Sequence, residues 1–181
     1  RLPKLRTLVL TDSTLSPADQ LALTEEFPSM LFSWDVTLAG RTIPSDVTAL
    51  DFTGTPLTEE DLSELSAALP LFSNAESVNL TDCGLSEHML RDFSAAHPNL
   101  LTEWKTQLFG VRFSTAAEEI DFSDVPLTVE DAAQIEAMLP YLPKLKKVVM
   151  LRCGISDEDM DAINLRHEDV QFVWMVQVRR W

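Results

Sequence analysis

The feature that most constrains the fold of this chain is a repeat of 70 residues that extends over almost its whole length. Residues 51–58, DFTGTPLT, recur as DFSDVPLT at residues 121–128. Two sets of residues carry the same spacing, the tryptophans Trp34, Trp104 and Trp174 and the cysteines Cys83 and Cys153. Self-similarity at a fixed period is typical of arrays in which each copy buries its apolar face against its neighbours. The spacing therefore predicts a repeating architecture, a solenoid or array.

A shorter frame recurs within each copy. Residues 5–15 read L-x-x-L-x-L-x-x-S-x-L, and the frame is found again at 47–57, 75–85, 117–127 and 145–155. The starts of successive frames are separated by 42, 28, 42 and 28 residues. Apolar residues alternate with their neighbours inside each frame, which is the pattern of a strand with one buried face. Five frames therefore predict five short strands.

A helix is predicted after every frame. Each frame is followed by Ser or Thr, and in four of the five an Asp stands three residues later, as in Thr58 and Asp61. This is the signature of a capped helix N-terminus. Prolines follow at Pro28, Pro70, Pro98 and Pro140, where a helix cannot continue. The sequence predicts a strand and then a capped helix, five times over.

The 42-residue spacing between frames contains 14 more residues than the 28-residue spacing, and these residues have a pattern of their own. Phe32, Trp34, Val36 and Leu38 alternate with polar residues, and 172–178 repeats the alternation. We expect one further half-buried strand in each of these places. Too few residues separate 38 from 47 for a helical crossover, so we expect a hairpin-like or irregular extended return there.

The frame resembles the motif of the leucine-rich repeat family, L-x-x-L-x-L-x-x-(N/C)-x-L. Cys83 and Cys153 stand at the Asn/Cys position, whereas Ser13, Thr55 and Val125 depart from it. The 28-residue spacing is similar to the ribonuclease-inhibitor-like subclass, and the alternation resembles a divergent bacterial group that is often secreted or on the cell surface. The resemblance covers nearly the whole chain. It implies an α/β leucine-rich-repeat solenoid, with a curved, mostly parallel sheet and helices on the convex side.

The repeat boundaries predict one domain over 1–181, with a partial unit at 1–42 and full units at 43–112 and 113–181. The chain begins with Arg1 rather than Met, so we expect a fragment or a processed product.

The charge of the chain excludes some partners. It has 14 basic and 29 acidic residues, a net charge of −15, which argues against nucleic acid and anionic membrane surfaces. It contains no apolar run of the ~18 residues that a membrane span needs. The five helix starts together hold 10 of the 29 acids, so much of the charge is repeated capping chemistry.

No catalytic or metal-binding motif stands out in the sequence. His97 and His167 share one repeat position, where the first copy has Phe27, so we expect them to pack at helix ends. Their partly cationic rings would suit the helix dipole there. His88 belongs to no zinc-binding spacing. We predict no enzyme activity and no cofactor.

Three other sets of residues have structural interpretations. Cys83 and Cys153 are expected as separate buried thiols near the backbone of the turn, too far apart for a disulfide. The acidic run 157–161 lies in a helix first turn, so we expect capping rather than calcium binding. The tryptophans lie in phase with the apolar face, which favours core packing over a carbohydrate platform. Trp181 has no counterpart.

The strand face that remains exposed is the predicted partner-binding site. Alternation places on it Thr7, Val9, Asp51, Thr53, Asn79, Thr81, Glu119, Asp121, Lys147, Val149 and Leu151. Its last row becomes apolar, and Met175 replaces the Lys105 of the preceding copy. Two explanations are open, contact with adjacent sequence, which we favour, and a partner site.

These observations, with the resemblance, predict a non-catalytic protein–protein interaction module, monomeric, from a bacterial secreted or cell-surface protein. Its partner is expected to be another protein, with no nucleic acid and no membrane insertion. The extracellular location comes from the resemblance alone. The alternative is a structural spacer or stalk repeat within a larger multidomain protein.

Overall fold

The structure is a computed structural model that describes residues 6–10 and 15–176. The chain divides into two compact units, Arg1–Thr102 and Glu103–Trp181. Each unit is an α/β assembly of short strands and ten-residue helices. Ser13, Val178 and Trp181, which the sequence patterns include, lie outside the described residues.

The described residues of the first unit form six strands and three helices, and the last residue of β6 is the first residue of the second unit. In chain order they are β1 (Thr7–Leu10), α1 (Pro17–Glu26), β2 (Leu31–Leu38), β3 (Arg41–Pro44), β4 (Ala49–Asp51), α2 (Glu59–Ala68), β5 (Ser77–Asn79), α3 (Glu87–Ala96) and β6 (Leu101–Glu103).

The second unit repeats most of this order. Its elements are β7 (Lys105–Leu108), β8 (Val111–Ser114), β9 (Glu119–Asp121), α4 (Val129–Met138), β10 (Lys147–Val149), α5 (Asp157–Arg166) and β11 (Gln171–Val173). A short 3-10 turn follows α2 and another follows α4, at Leu69–Leu71 and Leu139–Tyr141.

The predicted helix starts are confirmed. The side chains of Ser16, Thr58 and Thr128 each accept the backbone N–H of an Asp three residues later, and that Asp accepts the N–H of the capping residue. Ser86 and Ser156 cap α3 and α5 with their side-chain oxygens. Each cap satisfies backbone donors that a helix leaves without partners in its first turn.

The predicted return in the long spacing is confirmed as a hairpin. Strands β2 and β3 pair antiparallel, with Leu38 opposite Arg41, and β7 and β8 pair in the same way 70 residues later. The hairpins turn at Ala39–Gly40 and Phe109–Gly110, where all four φ angles are positive, between 47° and 83°. Two successive positive φ angles are typical of the type I′ turn, whose twist matches that of the strands it joins.

The expected solenoid with one curved, mostly parallel sheet is wrong, and with it the description of the chain as a repeat solenoid. In the described ranges, the strands form four small separate sheets, ordered β1-β2-β3, β4-β5-β6, β7-β8 and β9-β10-β11. Strands from successive frames do pair in parallel, as Ala49 does with Ser77. The additional residues of the long spacing, however, turn back as antiparallel strands, so parallel and antiparallel pairing are mixed.

The predicted strand at 172–178 is also shorter than expected. Strand β11 ends at Val173, and Val176, placed on the apolar face by alternation, is 60% exposed. Alternation alone cannot show whether a second strand lies alongside to cover such a position.

Each unit buries an apolar layer between its strands and helices. In the second unit one cluster joins the strand residues Ile120 and Val148 to the helix residues Ile135 and Ile163. In the first unit, Leu50, Val78 and Leu65 are no more than 1% exposed. Within the described ranges, no helix has the length and apolar character needed to cross a membrane.

Candidate partner-binding face

The first unit places two polar side chains side by side at the ends of neighbouring strands. Asp51 and Asn79 are in register across β4 and β5. Oδ1 of Asp51 accepts the backbone N–H of Thr53 at 2.9 Å, and Oδ1 of Asn79 accepts that of Thr81 at 3.0 Å. Asp and Asn commonly end a strand in this way, by a hydrogen bond to the backbone two residues later.

The surroundings of Asp51 favour its charged form. Hydrogen bonds from the side chain and the backbone N–H of Thr53 lower the pKa of the Asp51 carboxyl, with a smaller contribution from the nearby charge of Arg41. The second unit has the same turn, in which Oδ1 of Asp121 accepts the N–H of Ser123 at 2.8 Å. Two exposed carboxylates therefore stand in fixed positions, one in each unit.

A cation lies beside Asp51 in the first unit. Arg41, from the return strand β3, donates to the carbonyl oxygen of Asp51 and to Oγ1 of Thr55. Its guanidinium carbon lies 5.7 Å from the centre of the Phe52 ring, a cation–π distance. The hairpin thus brings a positive group to the strand ends, which the frame pattern does not indicate.

The strand face of the second unit carries ion pairs between successive frames. Lys147 Nζ lies 3.0 Å from Glu119 Oε1, across β10 and β9, and Lys146 Nζ lies 2.7 Å from Glu118 Oε2. These pairs are exposed, so each contributes little to stability. Their main effect is that the lysines neutralise the negative charge of Glu118 and Glu119 on this face.

A third pair completes this set. Arg152 holds both carboxylate oxygens of Asp124, at 2.5 and 2.6 Å. The hydrogen bond from Arg152 lowers the pKa of the Asp124 carboxyl, and its positive charge adds to the effect. The counterparts of Asp124 and Glu119 in the first unit are Gly54 and Ala49, which carry no charge. The faces of the two units therefore differ in chemistry.

The structure separates the eleven predicted face residues by exposure. Six are exposed: Thr7, Val9, Asp51, Thr53, Glu119 and Asp121. Three are half-buried: Asn79, Lys147 and Leu151. Thr81 and Val149 are buried, at 5% and 8% exposure, so they are not surface residues. Val149 lies in the middle strand of its sheet, between Asp121 and Val173, where neighbours on both sides cover it.

Sequence reasoning placed Glu119 and Lys147 on this face but missed that they pair. It also missed the other charged residues of the face, Glu118, Lys146, Asp124, Arg152 and Arg41. The signal for the pairs was present, because Glu118 and Lys146, like Glu119 and Lys147, differ by 28 residues, the short frame spacing. The contact between Arg41 and Asp51 has no such signal, since it depends on the course of the hairpin.

Two histidines lie at corresponding helix ends, as predicted. His97 ends α3, and its Nε2 lies 2.7 Å from Oγ of Ser66 on α2. His167 ends α5, with its Nε2 2.8 Å from Oε1 of Glu136 on α4. Burial lowers the pKa of His97 from its ordinary value of 6.5, which disfavours the partly cationic ring expected at this helix end.

A serine next to a neutral histidine is also the beginning of a nucleophilic site. Ser66 and His97 line a cleft of about 360 Å³ with Phe72 and Leu100. However, Glu136 replaces the serine at the corresponding position of the second unit. This position holds Ser in one unit and Glu in the other, and in both it hydrogen-bonds the histidine of the next helix. That hydrogen bond between consecutive helices explains the position without any catalytic role.

The interpretation of the cysteines as separate buried thiols is confirmed. Cys83 and Cys153 are free, and they are 2% and 4% exposed. Their Sγ atoms lie 3.0 Å from the carbonyl oxygen of Phe52 and 3.1 Å from that of Phe122. Burial raises the pKa of both thiols, which keeps them protonated and able to donate to these carbonyls.

The tryptophan interpretation holds for the first two copies, since Trp34 and Trp104 are 2% and 1% exposed. Over the residues that the structure describes, His, Cys, Asp and Glu side chains form no group of three or more that could hold a metal ion.

No known protein family matches the chain, and a search of the curated proteins finds no match either.

Proposed function

We propose that this chain is a non-catalytic protein-interaction module that binds a cationic region of another protein through the strand ends of its first unit. The observation that carries the proposal is the fixed pair of Asp51 and Asn79 on neighbouring strands. Both side chains are held by their own backbone, so little conformational entropy is lost when they contact a partner.

The charges of the two units support this choice of surface. In the second unit, the carboxylates of Glu118, Glu119 and Asp124 are neutralised by lysine or arginine. In the first unit, Arg41 donates to the carbonyl oxygen of Asp51 and not to its carboxylate, which stays ionised through its hydrogen bonds and exposed. Its counterpart Asp121 in the second unit lies near the charge of Lys147. A partner that carries Lys or Arg would gain more at the first unit, and the net charge of −15 would speed its approach.

The proposed setting is a bacterial secreted or cell-surface protein, and it rests on the resemblance to leucine-rich repeat proteins of that kind. The site has no part in a reaction. Recognition by exposed polar residues on a rigid scaffold is sufficient for such a module.

The test uses a substitution that removes charge and keeps shape. Asp51→Asn retains the Oδ1 that accepts the N–H of Thr53, as Asn79 already does on the next strand. Surface proteins captured by the chain are identified, and the dissociation constant of each is measured with the wild type and the variant. We expect Asp51→Asn to weaken binding about 5–30-fold, the range of ~1–2 kcal/mol for a lost charge-assisted contact.

Glu64→Gln is the matched control, because it removes one negative charge from the exposed side of α2. It should leave binding within about twofold of the wild type. If the two variants weaken binding equally, only net charge matters and the proposed surface is wrong. If no partner binds at micromolar concentration, the chain is a spacer rather than a recognition module.

A further inference from the structure

Arg41 holds a fixed position at the strand ends of the first unit. Its Nη1 donates to the carbonyl oxygen of Asp51 and to Oγ1 of Thr55. Its guanidinium carbon lies 5.7 Å from the centre of the Phe52 ring. The side chain is exposed, and a guanidinium has further donors on Nε and Nη2. Three neighbours thus hold a positive group in place on the surface.

The second unit has no charge at the corresponding position. Val111 stands seventy residues after Arg41, and Val125 stands seventy residues after Thr55. Both positions change from polar to apolar together. The hydrogen bond between Arg41 and Thr55 therefore has no side-chain counterpart in the second unit.

The aromatic ring beside Arg41 does not need a cation in order to be buried. In the second unit, the rings of Phe109 and Phe113 pack edge-to-face against Phe122, with centres 6.4 and 6.2 Å apart. Phe122 is the counterpart of Phe52, and the two residues are 0% and 1% exposed. Since apolar neighbours bury this ring equally well, burial of the ring does not explain the charge of Arg41.

The charge of Arg41 bears directly on the cationic partner proposed above. Arg41 acts electrostatically on the Asp51 carboxyl, so the two groups lie within reach of each other. A Lys or Arg of a partner that contacts Asp51 therefore also approaches Arg41, and the like charges repel. A carboxylate beside the partner's cation would offset this repulsion, and it would gain charge-assisted hydrogen bonds from the guanidinium.

We infer that the partner presents a carboxylate next to the Lys or Arg that reaches Asp51, and that Arg41 binds this carboxylate. The inference rests on the proposed function and specifies its partner, a segment with adjacent opposite charges rather than a uniformly basic one. Arg41 is then the residue that selects among cationic partners. Because its neighbours already hold the guanidinium, little conformational entropy is lost on binding.

Two sets of blocked ten-residue peptides in a Gly-Ser background test the inference. One set carries a Lys and a Glu one, two or three positions apart, and the matched set carries Gln in place of the Glu. NMR titration gives the dissociation constants, and the backbone N–H signals of Thr53 and Asn79 show whether binding occurs at this surface.

The two sets separate local recognition from net charge. The chain has a net charge of −15, so net charge alone would favour the Lys–Gln peptides, which are more positive. We expect the opposite order, with at least one Lys–Glu peptide binding about 3–10-fold more tightly than its Lys–Gln counterpart.

Substitution of Arg41 should abolish this preference. Arg41→Gln removes the charge, and it should leave the Lys–Gln peptides bound as tightly as before or more tightly. Arg41→Val should act in the same way, and Val111 shows that this hairpin position accepts valine. Arg112→Gln is the matched control, because it removes one positive charge from an exposed position of β8, and it should retain the preference.

The outcomes distinguish this inference from the proposed function. If Asp51→Asn weakens both sets, but the Lys–Gln peptides bind as tightly as the Lys–Glu peptides or Arg41→Gln leaves their ratio unchanged, the surface is right and the inference is wrong. If Asp51→Asn affects neither set, or no peptide binds at millimolar concentration, the proposed surface fails and the inference fails with it.

A second copy of the chain is the remaining alternative occupant. Its surface carries an exposed cation and carboxylate side by side, Lys146 and Glu118. Sedimentation of the chain alone at increasing concentration tests this alternative. Self-association that Arg41→Gln abolishes would identify a second copy as the occupant and overturn the assignment to a different protein.

Discussion

The hydroxyl oxygen of Ser66 lies 2.7 Å from Nε2 of His97, and this hydrogen bond joins α2 to the end of α3. Seventy residues later the same position joins α4 to the end of α5 through Glu136 and His167, at 2.8 Å. One packing position thus holds a neutral hydrogen-bonded pair in the first unit and an acid–histidine pair in the second. Burial lowers the pKa of His97, so the pair in the first unit should respond to pH.

The stability of the first unit should fall on mild acidification because of His97. Burial lowers the pKa of His97 in the folded chain below its ordinary 6.5, so near pH 6 the unfolded chain binds the proton more readily. Protonation then favours unfolding, and the free energy of unfolding decreases as the pH falls through this window. Above about pH 7 the ring is neutral in both states and the effect vanishes.

Urea denaturation at pH 7.5, 6.5 and 5.5 measures this effect. His97→Gln retains an amide that can bond Ser66 but does not titrate, so its free energy of unfolding should depend less on pH than that of the wild type. Carboxylates contribute equally to both proteins and cancel in the difference. Parallel pH profiles for the two proteins would show that His97 is not the titrating group.

Removing a helix cap should lower stability by a measurable amount. Thr58→Ala loses the side-chain acceptor for the N–H of Asp61, together with the reciprocal hydroxyl–carboxylate bond. We expect the free energy of unfolding to fall by ~1 kcal/mol. Ser63→Ala, on the exposed side of the same helix, should change it by less than ~0.5 kcal/mol. Equal losses for the two variants in urea denaturation would contradict the capping role.

A glycine substitution should have opposite effects at two alanines. Ala39 has a φ of 47°, a conformation that is strained for any residue with a Cβ atom. Ala39→Gly should therefore stabilise the chain by up to ~1 kcal/mol. Ala22→Gly, at an exposed position within α1, should destabilise it by ~0.5–1 kcal/mol. Thermal unfolding compares the two directly, and a loss of stability in Ala39→Gly would refute the turn strain.

The two cysteines should react slowly in the folded protein. Both are buried, with thiol pKa values raised by burial, so the reactive thiolate is scarce and inaccessible. Ellman's reagent should find two thiols per chain in denaturant and should modify them at least tenfold more slowly without it. Fewer than two thiols in fresh, non-reduced protein would indicate a disulfide and contradict the structure.

Part of the candidate site could be predicted from the sequence. The frame places Asp51 and Asn79 at strand ends, and the structure puts them in register on neighbouring strands. The exposure of Thr81 and Val149 was predicted wrongly because alternation gives the side of a strand, not how much of that side its neighbours cover. The cation beside Asp51 could not be predicted either, since Arg41 reaches it across the hairpin.

The sequence by itself determined the local elements of this protein: the strand in each frame, the helix that follows, and its cap. These depend on hydrogen bonds and apolar contacts among residues a few positions apart, as between Thr58 and Asp61. Only the tertiary structure decided how the strands assemble. Pairing depends on where residues tens of positions apart meet, and the antiparallel returns β3 and β8 divided the strands into four small sheets. Residues at the ends of these returns hydrogen-bond to Trp34 and Trp104, which are buried, whereas Trp174 is half-buried, although all three occupy one repeat position.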